Sequence, residues 1–395
     1  MMRTKSSSWL TRLGRLMAMV WCSSLLFFVA SSSAVYADGV TWYVDRAGDS
    51  VSDGDLATRR GTLRFALAHA DSGDFVSFQE FDLIAERIFV SAPLIVPDGV
   101  SVGHTRSDPC GSYMQPLAIL QATSGSVNPV ISLGAGATFR QFDIAGGEIS
   151  LKITGTDADA CGVALGLLYD DDGVLLTMPP ARAALIIDAA GAHVTQSAIN
   201  GPIVVGAGGS DSQIGDSVSG TGDANIGFCG NQGQCTVSIL GNAETAAQRV
   251  TIRDSFPRAL LGISGPGVLG GDDDPTHVNN WARTPAIAGA YTYDSFSTVE
   301  VTGTANPLSV VDIFFVHEGI IARQSPVTSD AAGQFVFRGP LPGSTVQVFA
   351  ISTLNDSTYP NRVGSSSQLS GNVAVEPGTA SPLTPRVYLP LIVRR

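Results

Sequence analysis

Short apolar segments recur between residues 75 and 252, and their length and spacing limit the folds open to the chain. Apolar residues alternate with small or polar ones in these segments, as in strands with one buried face. Apolar positions also recur roughly twenty residues apart, a period typical of solenoids; they are Ile144, Leu165, Ile187 and Val204. The pattern predicts a β-rich solenoid, with a β-sandwich as the alternative. The predicted strands are 75–78, 88–90, 100–102, 130–133, 139–144, 149–153, 163–168, 185–187, 203–205, 237–239 and 250–252.

The amino-terminal segment has the features of a secretory signal peptide. Basic residues come first, at Arg3, Lys5, Arg12 and Arg15, and an apolar run follows over residues 16–30. The sequence Val35-Tyr36-Ala37 suits signal peptidase, so we predict cleavage after about Ala37. The alternative is an uncut membrane anchor, but the run is shorter than the roughly 20 residues that a spanning helix needs. We therefore expect a secreted or cell-surface protein.

The charge balance limits the partners of the mature chain. Cleavage would remove four positive charges and no negative ones, which moves the formal net charge from -12 to -16. Lys152 is the one lysine after residue 37. Phosphate binding needs basic side chains, so this composition argues against nucleic acid as a partner. No segment after the signal peptide is long and apolar enough to predict a membrane span.

Four cysteines follow the signal peptide: Cys110, Cys161, Cys229 and Cys235. An even number in an exported chain fits disulfides. Cys229 and Cys235 bracket the flexible Gly-Asn-Gln-Gly-Gln segment, so we predict that they pair with each other and that Cys110 pairs with Cys161. Free thiols and a zinc site are the alternatives, although the spacing is wider than usual for zinc and no histidine is close by.

The composition divides the chain into four parts. Residues 1–37 are the signal peptide, 38–287 a long β-rich region, 288–375 a shorter β-rich region, and 376–395 a proline-rich linker and tail. The last residues, 387–395, resemble a short terminal motif of some exported bacterial proteins and are interpreted as a sorting or anchoring tag. An edge strand or a frayed tail is the alternative.

One helix is predicted near the start of the long region. Thr62 can cap it, and four apolar residues then fall on one face at helical spacing: Leu63, Ala66, Leu67 and Ala70. The turn-forming segment 71–74 ends the helix, and a strand follows at once.

This helix and strand carry a resemblance to a known family. Residues 61–70, with Gly73-Asp74-Phe75 after them, resemble the amino-terminal cap of exported bacterial right-handed parallel β-helix proteins of the pectin-lyase-like superfamily. Residues 93–102 resemble the first coil after that cap, 212–226 its asparagine-containing coils, and 272–285 the end of the helix. The resemblance implies an apolar tube whose open end is covered by the capping helix.

The shorter region resembles bacterial immunoglobulin-like domains. Its predicted strands are 298–301, 310–316, 335–337 and 346–351, and residues 330–335 form a turn that enters a strand. The resemblance implies a small β-sandwich that acts as a spacer or as a weak binding unit.

Two arginines are the candidates for catalysis. Lyases of the pectin-lyase-like superfamily use a basic residue beside a uronate carboxylate and calcium held by acidic residues. The arginine motif of pectate lyases is loosely similar to the segment that holds Arg253 and Arg258. In that motif a proline follows the first arginine by two residues, whereas here Pro257 follows Arg253 by four. The alternative is a pair of surface arginines.

Two runs of aspartate are the candidates for metal binding. They are Asp170, Asp171 and Asp172, and Asp272, Asp273 and Asp274. Adjacent carboxylates on a turn supply the hard oxygen ligands that calcium prefers. Paired carboxylates also serve glycoside hydrolases, but both runs precede Gly or Pro and have the character of turns. Calcium is thus the one cofactor to consider, and solvated acidic turns are the alternative.

The function predicted from the sequence is structural or adhesive. We expect a non-catalytic rod whose sides bind extracellular polysaccharide or surface proteins. The alternative is a polysaccharide lyase that acts on acidic polysaccharides.

Overall fold

The chain folds almost entirely into strands. The computed structural model describes residues 39–79, 86–106, 116–167, 183–199, 201–215, 237–239, 247–252, 284–293, 297–317, 320–343, 346–355, 366–367, 370–371 and 373–377. Within these ranges the regular structure is one α-helix and otherwise strands, which confirms the prediction of an all-β protein.

The helix forms where the sequence predicts it. Strands β1 (Thr41–Val44), β2 (Gly54–Asp55) and β3 (Arg60–Gly61) precede helix α1 (Leu63–His69). Thr62 is its N-cap, because the hydroxyl oxygen accepts a hydrogen bond from Phe65 N at 3.1 Å and the hydroxyl donates to Ser50 O at 2.7 Å. The helix packs against β1, β3, β4 (Phe75–Ser77) and β6 (Leu94–Val96) through its buried face. That face includes Leu63, Phe65, Ala66 and Leu67.

After the helix the chain passes repeatedly through three sheets in the same order, and one passage is called a coil below. The first coil is β4, β5 (Glu86–Val90) and β6, and the second is β7 (Ser101–Gly103), β8 (Ala118–Ala122) and β9 (Ile131–Leu133). The third is β10 (Thr138–Arg140), β11 (Phe142–Ala145) and β12 (Ile149–Ile153), and the fourth is β13 (Asp159–Cys161), β14 (Ala164–Leu167) and β15 (Ala183–Ile187). The fifth is β16 (His193–Thr195), β17 (Ala198–Ile199) and β18 (Ile203–Val205). Three further strands are β19 (Gln213–Ile214), β20 (Val237–Ile239) and β21 (Thr251–Ile252).

Equivalent strands of successive coils pair in parallel. Sheet 1 has the order β2-β3-β1-β4-β7-β10-β13-β16-β19-β21, sheet 2 the order β5-β8-β11-β14-β17, and sheet 3 the order β6-β9-β12-β15-β18-β20. All these pairs are parallel except β2 with β3. Apolar side chains from the three sheets fill one continuous core, in which Phe139 stacks on Phe142 at 4.3 Å between ring centroids.

A backbone corner defines where each coil begins. The residue two positions before every strand of sheet 1 from β4 to β21 has a positive φ; these residues are Gly73, Gly99, Gly136, Asp157, Gly191, Asp211 and Arg249. From Gly99 to Asp211, each corner N–H donates to the carbonyl just before the next corner, as Gly136 N does to Thr156 O at 2.7 Å. This ladder stabilises conformations that side chains other than glycine rarely adopt.

Two details of the predicted strands are corrected. The strand predicted over 139–144 is two strands in two sheets, because Gln141 has φ 66° and turns the chain from β10 into β11. The roughly twenty-residue spacing connects positions that belong to two different sheets. Ile144 pairs with Leu165 in sheet 2, whereas Ile187 belongs to sheet 3, where it pairs with Val205.

The described residues from 284 to 377 form two sheets that pack face to face, and all their strand pairs are antiparallel except β22 with β30. Their strands are β22 (Ala286–Tyr293), β23 (Thr298–Thr304), β24 (Val310–His317), β25 (Ile320–Arg323), β26 (Val327–Thr328), β27 (Gln334–Pro340), β28 (Gln347–Thr353), β29 (Val373–Ala374) and β30 (Glu376–Pro377). Sheet 4 has the order β27-β23-β22-β30, and sheet 5 the order β25-β24-β28-β29, with β26 also on β24. Residues of both sheets share a second apolar core, which includes Val301, Phe315 and Val348.

The strands lie across both predicted boundaries of this region. Strand β22 begins at Ala286, so the boundary between residues 287 and 288 falls inside a strand. Glu376 and Pro377, predicted to begin the linker, form β30 and pair in parallel with Tyr291 and Thr292 of β22. The region therefore includes residues on both sides of the range 288–375.

Candidate functional site on the outer face of sheet 1

Most of the residues singled out from the sequence lie outside the described residues. This holds for the lyase candidates Arg253 and Arg258 and for both aspartate runs, 170–172 and 272–274. It also holds for Cys110, Cys229 and Cys235. The described ranges contain no group of three or more His, Cys, Asp or Glu side chains placed to hold a metal ion.

Cys161 is the predicted disulfide residue that the structure places. It lies fully buried at the end of β13, and it is disulfide-bonded. The sulfur that pairs with it is outside the described ranges, so the pairing with Cys110 stays a prediction.

The outer face of sheet 1 carries an unbroken row of polar side chains. Within each strand the residue between the outward positions points into the core, as Phe139 does in β10 and Val194 in β16. Neighbouring strands place one outward residue each in register, and together these residues form what we call the polar row: Ser101, Thr138, Asp159, His193, Gln213 and Thr251. The six strands are spaced about 4.8 Å apart, so the row is about 24 Å long.

The members of the polar row differ in exposure and in hydrogen bonding. His193 is exposed, and the other five are half-buried. The hydroxyls of Ser101 and Thr138 lie 2.7 Å apart and share a hydrogen bond. Gln213 donates through Nε2 to Gly215 O at 2.7 Å, which holds its amide along the sheet. The row thus presents hydroxyl, carboxylate, imidazole and amide groups at regular intervals.

Cations and two aromatic rings lie beside this row on the same face. Arg60 is in register with Tyr43, and its guanidinium carbon lies 5.4 Å from the centre of the tyrosine ring. Arg140 is in register with Cys161 on the strand next to it. Arg106, which follows β7, lies over the ring of Phe75 at 5.8 Å. This face therefore gathers positive charge in an acidic chain.

Asp159 carries the one carboxyl group of the polar row. Burial raises the pKa of its carboxyl, and the positive charges of Arg140 and His193 lower the pKa by less than burial raises it. The carboxyl lies between Thr138 on one neighbouring strand and His193 on the other. A carboxylate next to an imidazole can accept hydrogen bonds from a ligand, while the imidazole can donate one.

Sequence reasoning missed this row. The signal that would have found it is the corner described above, because each member lies two residues after a corner residue. Four of the seven corner residues are glycines, a residue type that suggests a positive φ. The other three are Asp157, Asp211 and Arg249, and their residue types do not identify them as corners.

Comparison with known proteins adds no family. No protein-family model matches the chain, and no curated protein sequence matches it. Among the residues described, no helix has the length and apolar character required to cross a membrane.

Proposed function

We propose that the chain is a secreted or cell-surface protein built as a right-handed parallel β-helix with an immunoglobulin-like sandwich, and that it acts as a non-catalytic, adhesive rod. The parallel pairing of equivalent strands over successive coils supports the β-helix, and the two face-to-face antiparallel sheets support the sandwich. The amino-terminal sequence supports export. The ligand we propose is an extracellular polysaccharide.

The polar row is the observation that carries this proposal. Six polar side chains in register on adjacent strands match an elongated ligand with many hydroxyl groups better than a compact one. Repeated hydrogen bonds of about 0.5–1.5 kcal/mol each can add up to specific binding along such a row. The rigid ladder beneath the side chains keeps the ordering cost of binding small.

A polysaccharide binding screen tests the proposal. The purified protein is screened against an array of extracellular polysaccharides, and the binders are then titrated with the His193→Ala and Gln213→Ala variants. Each variant is expected to weaken binding about tenfold, because each loses one or two hydrogen bonds. Ser132→Ala, on β9 of sheet 3, is the matched control and should bind as the wild type does. Equal binding by all three variants would remove the polar row as the site.

A polysaccharide lyase is the second candidate function. The observation that favours it is the meeting of Arg140, Asp159 and His193 on one face, since these groups can move a proton and offset a substrate carboxylate. Incubation with polygalacturonate and calcium, followed by ultraviolet absorbance of unsaturated products, tests this function. A rise in absorbance that Arg140→Ala abolishes would establish the lyase at this group and replace the adhesive proposal.

A further inference from the structure

We infer that the outer face of sheet 4 holds a separate glycan-binding site, where Tyr291 stacks on one pyranose ring of an uncharged polysaccharide. The site belongs to a different sheet from the polar row, and the inference does not rest on the function proposed for that row. Three features carry it. They are an aromatic ring that lies down on the sheet, apolar side chains beside this ring, and an ion pair at its border.

The ring of Tyr291 lies along β22 rather than standing away from the sheet. Ala290 belongs to the core of the sandwich, so Gly289 and Tyr291 on either side of it point outward. A Cβ atom at Gly289 would lie only 2.5 Å from Cε2 and 2.8 Å from Cζ of the tyrosine ring. The lack of a side chain at Gly289 therefore lets the ring cover the backbone there. Gly289 is buried although it points outward, whereas Tyr291 is 40% exposed. One face of the ring thus covers the strand, and the other face is open to a ligand.

Apolar side chains on the next two strands extend the surface of the ring. Gly289, beneath the ring, is in register with Thr302 of β23, and Thr302 is in register with Val336 of β27. Val336 is 51% exposed, although the residues before and after it belong to the core. We call Tyr291, Thr302 and Val336 the tyrosine platform. It crosses three adjacent strands and is about 10 Å wide, since neighbouring strands lie about 4.8 Å apart.

A carboxylate and a guanidinium border the tyrosine platform. Glu300 of β23 is in register with Tyr291 on one side and with Arg338 of β27 on the other. Arg338 Nε donates to Glu300 Oε2 at 2.6 Å, and Glu300 is buried. The side chain of Arg338 is 58% exposed. Glu300 therefore holds the guanidinium at a fixed position, from which other N–H groups of Arg338 can donate to ligand hydroxyls.

This combination fits an uncharged pyranose ring. A pyranose has C–H groups on its faces and hydroxyls around its rim, so one of its faces can pack on an aromatic ring while the rim bonds to polar groups. The charge of Arg338 is offset by Glu300, and Glu376 is in register with Tyr291 on the other side. The register row through Tyr291 thus contains two carboxylates and one guanidinium. An acidic sugar would meet a like charge there, whereas an uncharged one would not.

Binding of cellohexaose, an uncharged oligosaccharide, to the full chain tests the site. In saturation-transfer NMR we expect stronger transfer to the protons on one face of a pyranose ring than to those on the other. In calorimetric titrations, Tyr291→Ala should weaken binding about tenfold because the stacking surface is lost. Tyr291→Phe keeps the ring and should bind as the wild type does. Gly289→Ala should also weaken binding, because its Cβ atom displaces the ring.

Phe89→Ala is the matched control, since Phe89 is an aromatic residue of β5 in sheet 2 that is 51% exposed. It should bind cellohexaose as the wild type does. No binding by the wild type up to about 10 mM cellohexaose, or equal binding by wild type and Tyr291→Ala, would overturn the inference. A loss in His193→Ala without one in Tyr291→Ala would place the sugar on the polar row and overturn this site alone. Binding of hexagalacturonate that Tyr291→Ala abolishes would overturn the uncharged ligand.

Discussion

At the scale of single residues, Asp49 connects the amino-terminal loop to the first coil. Its carboxylate accepts hydrogen bonds from the Arg64 guanidinium at 2.6 and 3.1 Å and from the backbone N–H and hydroxyl of Ser91. Burial by itself would raise the pKa of Asp49, but the bonds from Arg64 and Ser91 outweigh it and lower the pKa below its ordinary value of 3.8. The charged form is thus the one that the fold stabilises.

Asp49→Ala should therefore destabilise the protein. Because it removes the carboxylate that accepts two hydrogen bonds each from Arg64 and Ser91, the free energy of unfolding is expected to fall by about 1–3 kcal/mol. Denaturant titration at pH 7 measures this. The lowered pKa means that the loss is fully present above pH 3.8 and shrinks as the pH falls through the folded-state pKa. Asp53→Ala is the control, since its pair with Arg46 is exposed and is worth less than about 1 kcal/mol.

Asp159 should show the opposite pH dependence. Its raised pKa means that the folded protein holds the charged carboxylate at a cost above that pKa, and the cost disappears as the pH falls towards 3.8. Asp159→Asn should raise the melting temperature at pH 7, and this gain should vanish near pH 3. Thermal melts over that pH range check the sign. A variant that melts below the wild type at pH 7 would mean that the attraction of Arg140 and His193 outweighs burial.

At the scale of elements, helix α1 follows from local sequence signals and the corners do not. The position of the helix is predicted by signals close together in the sequence. These are a capping threonine, apolar residues on one face and a following turn. The corner at Asp157 depends instead on hydrogen bonds between coils, as when Asp157 N donates to Ala190 O at 2.9 Å, and the same holds for the turn at Gln141, where Gln141 N donates to Cys161 O at 3.0 Å. Nothing in the side chain of glutamine predicts a left-handed backbone.

Leu67→Asp tests whether α1 protects the first coil. Leu67 is buried in the core of the stack, so an aspartate there loses apolar burial and places a charge in the core. We expect a loss of about 3–5 kcal/mol and aggregation of the purified protein. Chemical denaturation and light scattering measure both. Leu56→Asp, in an exposed loop near the helix, is the control and should be close to neutral. Unchanged melting of Leu67→Asp would contradict the capping role.

At the scale of the whole molecule, the predicted pairing would join Cys161, at the end of a buried strand, to Cys110, 51 residues earlier in the sequence. Peptide mapping without reduction is expected to link Cys161 to Cys110, and Cys229 to Cys235. A bridge that closes a loop of about 50 residues should contribute roughly 4 kcal/mol, so reduction should lower the melting temperature clearly. A link from Cys161 to Cys229 or Cys235 would contradict both predicted pairings.

The sandwich shows how a whole-molecule contact changes the meaning of a correctly predicted strand. Residues 346–351 were predicted as a strand of a separate region, and β28 forms there. Its residues after Gln347 are all buried, rather than alternating, because sheet 5 packs on sheet 4 with one face and on the parallel stack with the other. Burial on both faces of the sheet explains why the run Val348-Phe349-Ala350-Ile351 is apolar without interruption.

The sequence by itself determined that the chain is all-β, where most strands and the one described helix lie, and that apolar segments recur. Apolar alternation and helix capping act between residues close in sequence, so the sequence alone was enough for them. Only the tertiary structure decided which strands are neighbours, where the chain turns and which side chains form the polar row. Successive corners lie from 20 residues (191 to 211) to 38 residues (211 to 249) apart, because loops of different length separate the strands. Hydrogen bonds between coils, rather than spacing along the chain, therefore set the register that brings Asp159 beside His193.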